Sequence, residues 1–380
     1  QQLLQKLTDG RIVYTATAVN GNYSFTDVGV GYSSQLLVWI DNDVTYEGVT
    51  VTVAGTDDIT GLDVYAGHVT VRYETSGSMT NALIGSAKGS LSDDDIKYSV
   101  SAGALTVNDG FELYIPSGQT FAPGAAVTID DIEIGGVFDA GGHDVTVGGN
   151  WDNNGTFTSG SNTVIFNAAS GTQTVETGGT GDSQDFNNVT HSGAGTLQLI
   201  TNAIDIDGGF LNSAGTFNAN SLGMYVAGNW TNSASFVSGS NTVTFDGSSG
   251  TQTLTSGGTG DTHDFYNLAH PGASTLQVVA NDLDVDGDFS IAAGTFDLNG
   301  RTLTVAGNFT RGGTFTHNNG TVTFDDSARI SIVTGSTVFY NLTCTTASKR
   351  IDFTQGQTFT VSGLLTLNGQ AEGTRIDLNS

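Results

Sequence analysis

Aspartates at alternate positions are the residues with the clearest chemical potential in this sequence. Asp205 and Asp207 occur in IDIDGG, and Asp284, Asp286 and Asp288 occur in LDVDGDF. An Asp-x-Asp-Gly turn offers the carboxylate and carbonyl oxygens that calcium prefers, but the distal glutamate of an EF-hand does not follow. Alternate aspartates in a strand also simply face solvent. The five aspartates are therefore candidate calcium ligands, and calcium is the only cofactor that the sequence suggests.

Aromatic residues at recurring positions are the candidates for binding. Exposed, they would form a stripe on which sugar rings stack; buried, they would fill the core of the protein. The replacement of Trp by Phe at one recurring position favours packing over ligand recognition. The nine residues are Trp151, Trp230, Phe309, Phe157, Phe236, Phe315, Phe166, Phe245 and Phe324.

Histidine and cysteine form no recognisable catalytic motif. His191, His270 and Cys344 occupy equivalent positions, which is suggestive of metal ligation, but their separation along the chain favours residues that line turns. His68, His143 and His317 lie in no catalytic pattern. The most crowded acidic patch, formed by Asp130, Asp131 and Glu133, is interpreted as a solvated turn. The sequence therefore predicts no catalytic residue, although a carboxylate pair of the glycosidase kind stays formally open.

The charge of the chain excludes several classes of partner. Its 38 acidic and 11 basic residues give a net charge of −27. Nucleic-acid binding requires a basic face, and Lys349-Arg350 is the only adjacent basic pair. Apolar runs fall short of the roughly 18 residues of a membrane span, and the single cysteine excludes an intrachain disulfide. We expect neither nucleic-acid binding nor membrane insertion.

A repeat of 79 residues positions all of these side chains. GGNWDNNGTFTSGSNTVIF (148–166) aligns without a gap with AGNWTNSASFVSGSNTVTF (227–245), and a third copy begins at 306, so that the repeats cover 136–380. Apolar residues alternate in bursts of four to six residues separated by Gly, Asn and Ser, which is the period of half-buried strands. Each unit divides into about four coils of roughly 20 residues.

The predicted fold class is all-β: a parallel β-solenoid over 101–380 with a small β-sandwich-like module at 1–55. Residues 56–100 are expected to be connecting strands or a cap for the solenoid. A β-propeller is the architectural alternative, but its blades are shorter, and three of them do not close a ring. We expect about 14 coils, with equivalent residues of successive repeats stacked four coils apart, about 19 Å along the axis. Gln1–Leu7 is the only helix-like stretch, and it is too short to stand alone as a helix.

Several motifs carry a resemblance to known proteins. AGNWTN, GTFTSG, NTVTF, GTQT, FYNL and DVDGDF resemble the β-strand-repeat cell-surface proteins of bacteria, which are grouped with adhesins. The turn NGNYSF (Asn20–Phe25) resembles the carboxypeptidase-regulatory-like and Cna-B-like β-sandwich modules. The resemblance implies an extracellular or cell-surface location, and a chain that begins with Gln rather than Met suggests a processed region.

These observations predict an extracellular structural protein rather than an enzyme. We expect a subunit of a surface fibre or matrix in which copies self-associate into a homopolymer through the chain ends, with 1–15 and Leu378–Ser380 as joining elements. The alternatives are an adhesin that binds glycans or another cell surface and, more remotely, a polysaccharide-active enzyme. The sequence leaves the partner and the handedness of the solenoid open.

Overall fold

The computed structural model describes residues 2–6, 10–16, 21–26, 28–43 and 45–380. The chain forms two compact units, one of Gln1–Ala169 with Gln173–Asn187 and one of Ser170–Thr172 with Asn188–Ser380. Asn20 of the NGNYSF turn, together with Gln1 and 7–9 of the predicted joining segment, lies outside the described residues.

The strands β1 to β17 lie towards the N-terminus. They are β1 (Gln2–Lys6), β2 (Ile12–Ala16), β3 (Gln35–Asp41), β4 (Val49–Val53), β5 (His68–Val71), β6 (Tyr98–Ser101), β7 (Ala104–Val107), β8 (Glu112–Ile115), β9 (Thr120–Phe121), β10 (Val127–Ile129), β11 (Asp131–Ile134), β12 (Val137–Asp139), β13 (Val145–Val147), β14 (Trp151–Asn153), β15 (Thr156–Thr158), β16 (Thr163–Phe166) and β17 (Thr172–Glu176).

The strands β18 to β43 all belong to the second unit. They are β18 (Asn188–His191), β19 (Thr196–Leu199), β20 (Ile204–Ile206), β21 (Phe210–Asn212), β22 (Thr216–Asn218), β23 (Met224–Val226), β24 (Trp230–Asn232), β25 (Ser235–Val237), β26 (Thr242–Phe245), β27 (Thr251–Thr255), β28 (Asn267–His270), β29 (Thr275–Ala280), β30 (Leu283–Val285), β31 (Phe289–Ile291), β32 (Thr295–Asp297), β33 (Thr302–Val305), β34 (Phe309–Arg311), β35 (Thr314–Thr316), β36 (Thr321–Phe324), β37 (Ile330–Thr334), β38 (Thr337–Phe339), β39 (Asn341–Cys344), β40 (Arg350–Phe353), β41 (Phe359–Val361), β42 (Leu365–Leu367) and β43 (Asp377–Asn379).

Stacked parallel strands form a β-solenoid of about 16 turns, which confirms the predicted fold class. In the first unit the ladders run β5-β8-β11-β14, β7-β10-β13-β16 and β9-β12-β15, so each coil contributes one strand to each of three sheets. Because neighbouring strands belong to successive coils and run parallel, the propeller alternative is wrong.

The core of each coil follows directly from the alternation of side chains. Val145 and Val147 on β13 are buried while Thr146 between them is partly exposed, and the same pattern recurs along most strands. The corners need close backbone approach. Gly215 has a φ of 61°, and a Cβ at this position would collide with the carbonyl oxygen of Gly195 one coil earlier. Glycine is therefore required where successive corners stack.

The 79-residue repeat does not equal a whole number of coils. Ladder partners one coil apart are separated by 20 residues at Phe210 and Trp230 and by 24 at Trp230 and Leu254. Within the second unit, the equivalent residues Trp230 and Phe309 consequently lie on different sheets, which contain β24 and β34 respectively. The expected stacking of equivalent positions four coils apart on one face is wrong, because some coils include extra loop residues.

The N-terminal strands extend the solenoid sheet. β2, β1, β3 and β4 pair antiparallel in that order, and β4 then pairs in parallel with β5. The middle residues of β3, Leu36 to Ile40, are buried without alternation because both of its faces are covered. The division of the N-terminal region at residues 55 and 100 stays a prediction.

The one helix of the described residues is α1 (Asn81–Lys88). It begins after Thr80, whose hydroxyl accepts the Leu83 N–H, and ends at Gly89 with a φ of 58°. The helix-like stretch that the sequence suggested instead contains β1, whose residues 2–6 pair with both β2 and β3. The stretch was expected to be too short to stand alone as a helix, and sheet pairing outweighs a local helical preference over so few residues.

Candidate functional site

The repeated aromatic positions lie in the core of the solenoid. Eight of the nine side chains are buried, and Phe315 is partly exposed. In the second unit the ring of Trp230 lies 5.1 Å from Phe236 and 5.2 Å from Phe265, measured between centroids. These rings pack against one another, so they do not form the exposed stripe that sugar stacking requires.

One member of each aromatic cluster was missed by sequence reasoning. Phe265 contacts Trp230, Phe236 and Phe245, and its repeat equivalent Phe186 contacts the matching rings of the first unit. The sequence did contain a signal for these two phenylalanines, because the Asp-Phe pair recurs at the 79-residue spacing of the repeat. The four rings of each repeat belong to larger clusters of buried aromatic side chains, and their shared property is burial rather than access to a ligand.

The five candidate calcium ligands do not assemble into one cage. Asp205 on β20 and Asp284 on β30 each lie between two buried residues and therefore face outwards. The carboxylate of Asp288 accepts the backbone N–H of Asn308 at 2.8 Å, which is a structural role in a turn. Among the described residues, no three of these aspartates bring ligand oxygens within 4.8 Å of one another.

Asp284 instead belongs to an acidic cluster with Asp264, which the sequence analysis did not single out. A parallel bridge between Phe265 and Val285 brings the two preceding aspartates to neighbouring positions. Burial and the charge of Asp286 raise the pKa of Asp264 to about 6, and burial and the charge of Asp264 raise the pKa of Asp284 to about 7. Near neutral pH this cluster therefore carries less negative charge than the sequence suggests.

The equivalent residues His191, His270 and Cys344 are buried strand residues, so the interpretation as turn-lining residues is wrong. They lie on β18, β28 and β39, which belong to three different sheets of the second unit. The Nδ1 atom of His191 lies 2.8 Å from the amide oxygen of Asn212, and that of His270 lies 2.9 Å from the carbonyl oxygen of Phe245. Each side chain satisfies a local polar partner, and the three do not share a ligand.

A buried ladder of asparagines continues from His191. The amide nitrogen of Asn212 donates to the amide oxygen of Asn232 at 2.8 Å, and the amide nitrogen of Asn232 donates to the carbonyl of Ser256 at 3.0 Å. Both asparagines are fully buried and lie one coil apart. Sequence analysis overlooked them, although FLN and WTN end equivalent strands of successive coils. Satisfied amides of this kind hold neighbouring coils in register.

A group of potential metal ligands that includes a histidine lies in the first unit and was also missed. The ligand atoms of His68, Glu112 and Glu133 lie within 4.8 Å of one another. Glu133 belongs to β11, so the expected solvated turn at Asp130, Asp131 and Glu133 is in part an outward-facing strand. The hydrogen bond with Glu112 raises the pKa of His68, and burial raises the pKa of Glu133.

Tyrosine rings border this group on one side. The ring of His68 lies 5.9 Å from Tyr65 and 5.9 Å from Tyr114, and the two tyrosine rings lie 5.7 Å apart. The three residues with ligand atoms are partly exposed. The result is a shallow, half-buried site on the outer face of the sheet.

A buried lysine lies near the C-terminal coils. The side chain of Lys349 is fully buried, and its ammonium group donates to the carbonyls of Ala306 at 2.8 Å, Asp326 at 3.0 Å and Arg329 at 3.1 Å. Burial lowers the pKa of Lys349, which the nearby Asp326 and Asp325 partly offset. Lys349 therefore joins three segments of the chain through backbone groups.

No protein-family model, curated protein or solved structure matches this chain. Among the described residues, none of the helical structure has the length and apolar character needed to cross a membrane. The architecture and the sites above therefore rest on the geometry of the chain itself.

Proposed function

We propose that this chain is an extracellular structural protein, a subunit of a surface fibre or matrix whose copies join end to end. The proposal includes a bacterial cell-surface location, supported by the resemblance of the repeat motifs, and the absence of a catalytic role. The burial of the repeated aromatics supports a structural role, since the side chains that recur most often in the repeat pack in the core.

One observation carries the proposal. Leu365, Leu367 and Leu378 are 50%, 37% and 44% exposed, although all three continue columns of inward-facing side chains. Leu365 pairs with buried Leu342, and Leu378 pairs with buried Ile351. These leucines therefore form the open face of the coil that contains β41, β42 and β43, with the strand edges exposed beside them.

Such a face is complementary to another coil. Unpaired strand edges beside apolar side chains form a template for a further strand with the same alternation. Our proposal assigns this place to a second copy of the chain, which would add backbone hydrogen bonds and cover the three leucines. Because the three leucines are already at least half covered, burying the rest of each would contribute roughly 1 kcal/mol per leucine.

Sedimentation velocity across a concentration series, followed by negative-stain electron microscopy, tests the proposal. We expect the unmodified chain to form linear assemblies that lengthen with concentration. The double variant Leu367→Lys with Leu378→Lys should remain monomeric, because two charges would be buried at the junction. The control variant Val237→Lys changes an exposed apolar residue of β25 and should assemble normally.

Two results would contradict end-to-end assembly. The unmodified chain could stay monomeric at millimolar concentration, which would show that the open coil does not bind a second copy. Alternatively, the lysine variants could assemble as readily as the control, which would place the contact elsewhere on the surface.

A further inference from the structure

We propose that His68, Glu112 and Glu133 form a zinc-binding site on the outer face of the first unit. The inference is independent of fibre assembly, since it concerns strands near the N-terminus and a different kind of ligand. Nothing in the sequence motifs points to it, because the three residues come from segments that are far apart in the chain.

The register of three adjacent strands brings the ligands together. His68 on β5 is the ladder partner of Glu112 on β8, and Tyr114 on β8 is the partner of Glu133 on β11. The intervening residues Val69, Leu113 and Ile132 are buried. Because side chains alternate along a strand, the three ligand residues all project from the same outer face.

The orientation of the histidine ring is already that of a metal ligand. Its Nδ1 atom lies 2.7 Å from the carbonyl oxygen of Ala66, and its Nε2 atom lies 2.8 Å from the carboxylate of Glu112. Both ring nitrogens therefore face acceptor oxygens. Without metal, Nε2–H donates to the Glu112 carboxylate while Nδ1–H donates to Ala66; loss of the Nε2 proton leaves a lone pair aimed at the place between the ring and that carboxylate where a cation would lie. A backbone carbonyl holding the second ring nitrogen is the usual outer partner of a metal-bound histidine.

The types of donor atom determine which metal ion fits the site. Calcium and magnesium prefer all-oxygen cages, whereas an imidazole nitrogen with two carboxylates suits zinc. Zinc bonds of about 2.0–2.2 Å require ligand atoms roughly 3–3.6 Å apart, which small side-chain rotations provide from the observed spacing. Three protein ligands leave the fourth position open towards solvent. The bound ion would join β5, β8 and β11, and thus residues that are distant in sequence.

A protonated His68 held by two glutamates without any metal is the competing explanation. It makes a different prediction, because the imidazolium has no free lone pair and must release its proton before it can bind zinc, so the ion pair resists zinc most strongly at low pH. The group of Asp41, Asp93 and Asp95 is a second place where ligand atoms lie within 4.8 Å of one another, so the experiment must separate the two.

Isothermal titration of the chelator-stripped full chain with zinc chloride at pH 7.5 is the test. We expect one site, with binding weakened in His68→Gln and in Glu133→Gln by at least the roughly tenfold that loss of a mere outer-shell partner costs. His143→Gln is the control for loss of a histidine, and Asp93→Asn controls for the aspartate group. Cobalt substitution should give a visible absorption band that disappears in His68→Gln.

Circular dichroism shows whether His68→Gln and Glu133→Gln are folded. If one of them fails to fold, the zinc affinity of the other still decides the test. Zinc binding that is unchanged in both folded variants would overturn the proposal. So would the absence of zinc binding by the unmodified chain, which would establish the metal-free ion pair, and so would binding that Asp93→Asn alone removes.

Discussion

At the scale of single residues, Asp264 and Asp284 link burial to the pH dependence of folding. Their pKa values of about 6 and about 7 lie above the ordinary value of 3.8. Between about pH 4 and pH 7 the folded chain therefore binds more protons than the unfolded chain, and the free energy of unfolding falls as the pH rises through this window. The two carboxyls favour the folded state when protonated and oppose it when ionised.

Asp284→Asn should therefore stabilise the chain at high pH. The amide matches the shape of the protonated acid, so we expect a gain on the order of 1–2 kcal/mol at pH 8, after allowance for solvent screening, and almost none at pH 4. Urea denaturation at both pH values measures the difference. Glu372→Gln, an exposed acid of the same unit, should leave stability unchanged at both. A gain of equal size at pH 4 and pH 8 would contradict the titration argument.

The aspartates also show where sequence reasoning reached its limit. The Asp-x-Asp-Gly motifs located Asp284, but its neighbour Asp264 comes from a different part of the repeat and was not singled out. His68 was likewise named only as a residue without a catalytic motif, and Glu133 only as part of an acidic patch in a solvated turn. In each case the strand register between successive coils determines which residues lie side by side. A single sequence does not specify that register.

At the scale of elements, the two repeated tryptophans contribute buried ring area and no polar contact to the core. The indole nitrogens of Trp151 and Trp230 are buried and have no hydrogen-bond partner in the described part of the chain. A phenylalanine at this position therefore loses no hydrogen bond, which accounts for Phe309 in the third repeat. The side chain at this position therefore stabilises the core through the apolar area that it buries and through its shape.

We expect Trp230→Phe to cost roughly 1–2 kcal/mol and Trp230→Ala about 3–5 kcal/mol of unfolding free energy. The alanine variant leaves a cavity between Phe210, Phe236 and Phe265, whose rings all contact the indole. Equilibrium denaturation followed by circular dichroism measures both. Thr244→Ala, an outward-facing residue of β26, is the control and should cost much less. Similar losses for phenylalanine and alanine would indicate that the indole nitrogen matters after all.

The strand pattern was predictable, whereas the geometry of the coils was only partly so. Alternating apolar residues such as Val145 and Val147 identify strands and their buried face from sequence alone. The number of residues in a coil is less visible, because Trp230 to Leu254 includes a loop that the alternation does not define. Equivalent positions consequently fall on different sheets. Helix α1 was missed because its signals, Thr80 and Gly89, are common in a chain rich in threonine and glycine.

At the scale of the whole molecule, net charge opposes the proposed association. With a charge of −27, copies of the chain repel one another at distances set by the ionic strength. The junction itself is apolar, so salt should weaken the repulsion and leave the attraction intact. Assembly is therefore expected to be faster in a saline medium than in dilute buffer.

Light scattering in about 20 mM and about 300 mM sodium chloride tests this expectation, since the Debye length falls from roughly 20 Å to below 8 Å between them. We expect association to accelerate severalfold in the higher salt. The variant Leu367→Lys with Leu378→Lys should scatter equally little in both. Slower association at high salt would indicate a junction held by charge pairs rather than by leucines.

The burial of Lys349 has a consequence for proteolysis. Trypsin must draw a lysine side chain into its own pocket, but this one is fully buried and its ammonium group contacts three carbonyls. Arg350 follows in β40, which is paired on both edges, with β37 and β43. Cleavage after Lys349 therefore requires the neighbouring coils to separate first, and its rate reports how often they open. The chain thus carries its own reporter of C-terminal fraying, at its only pair of adjacent basic residues.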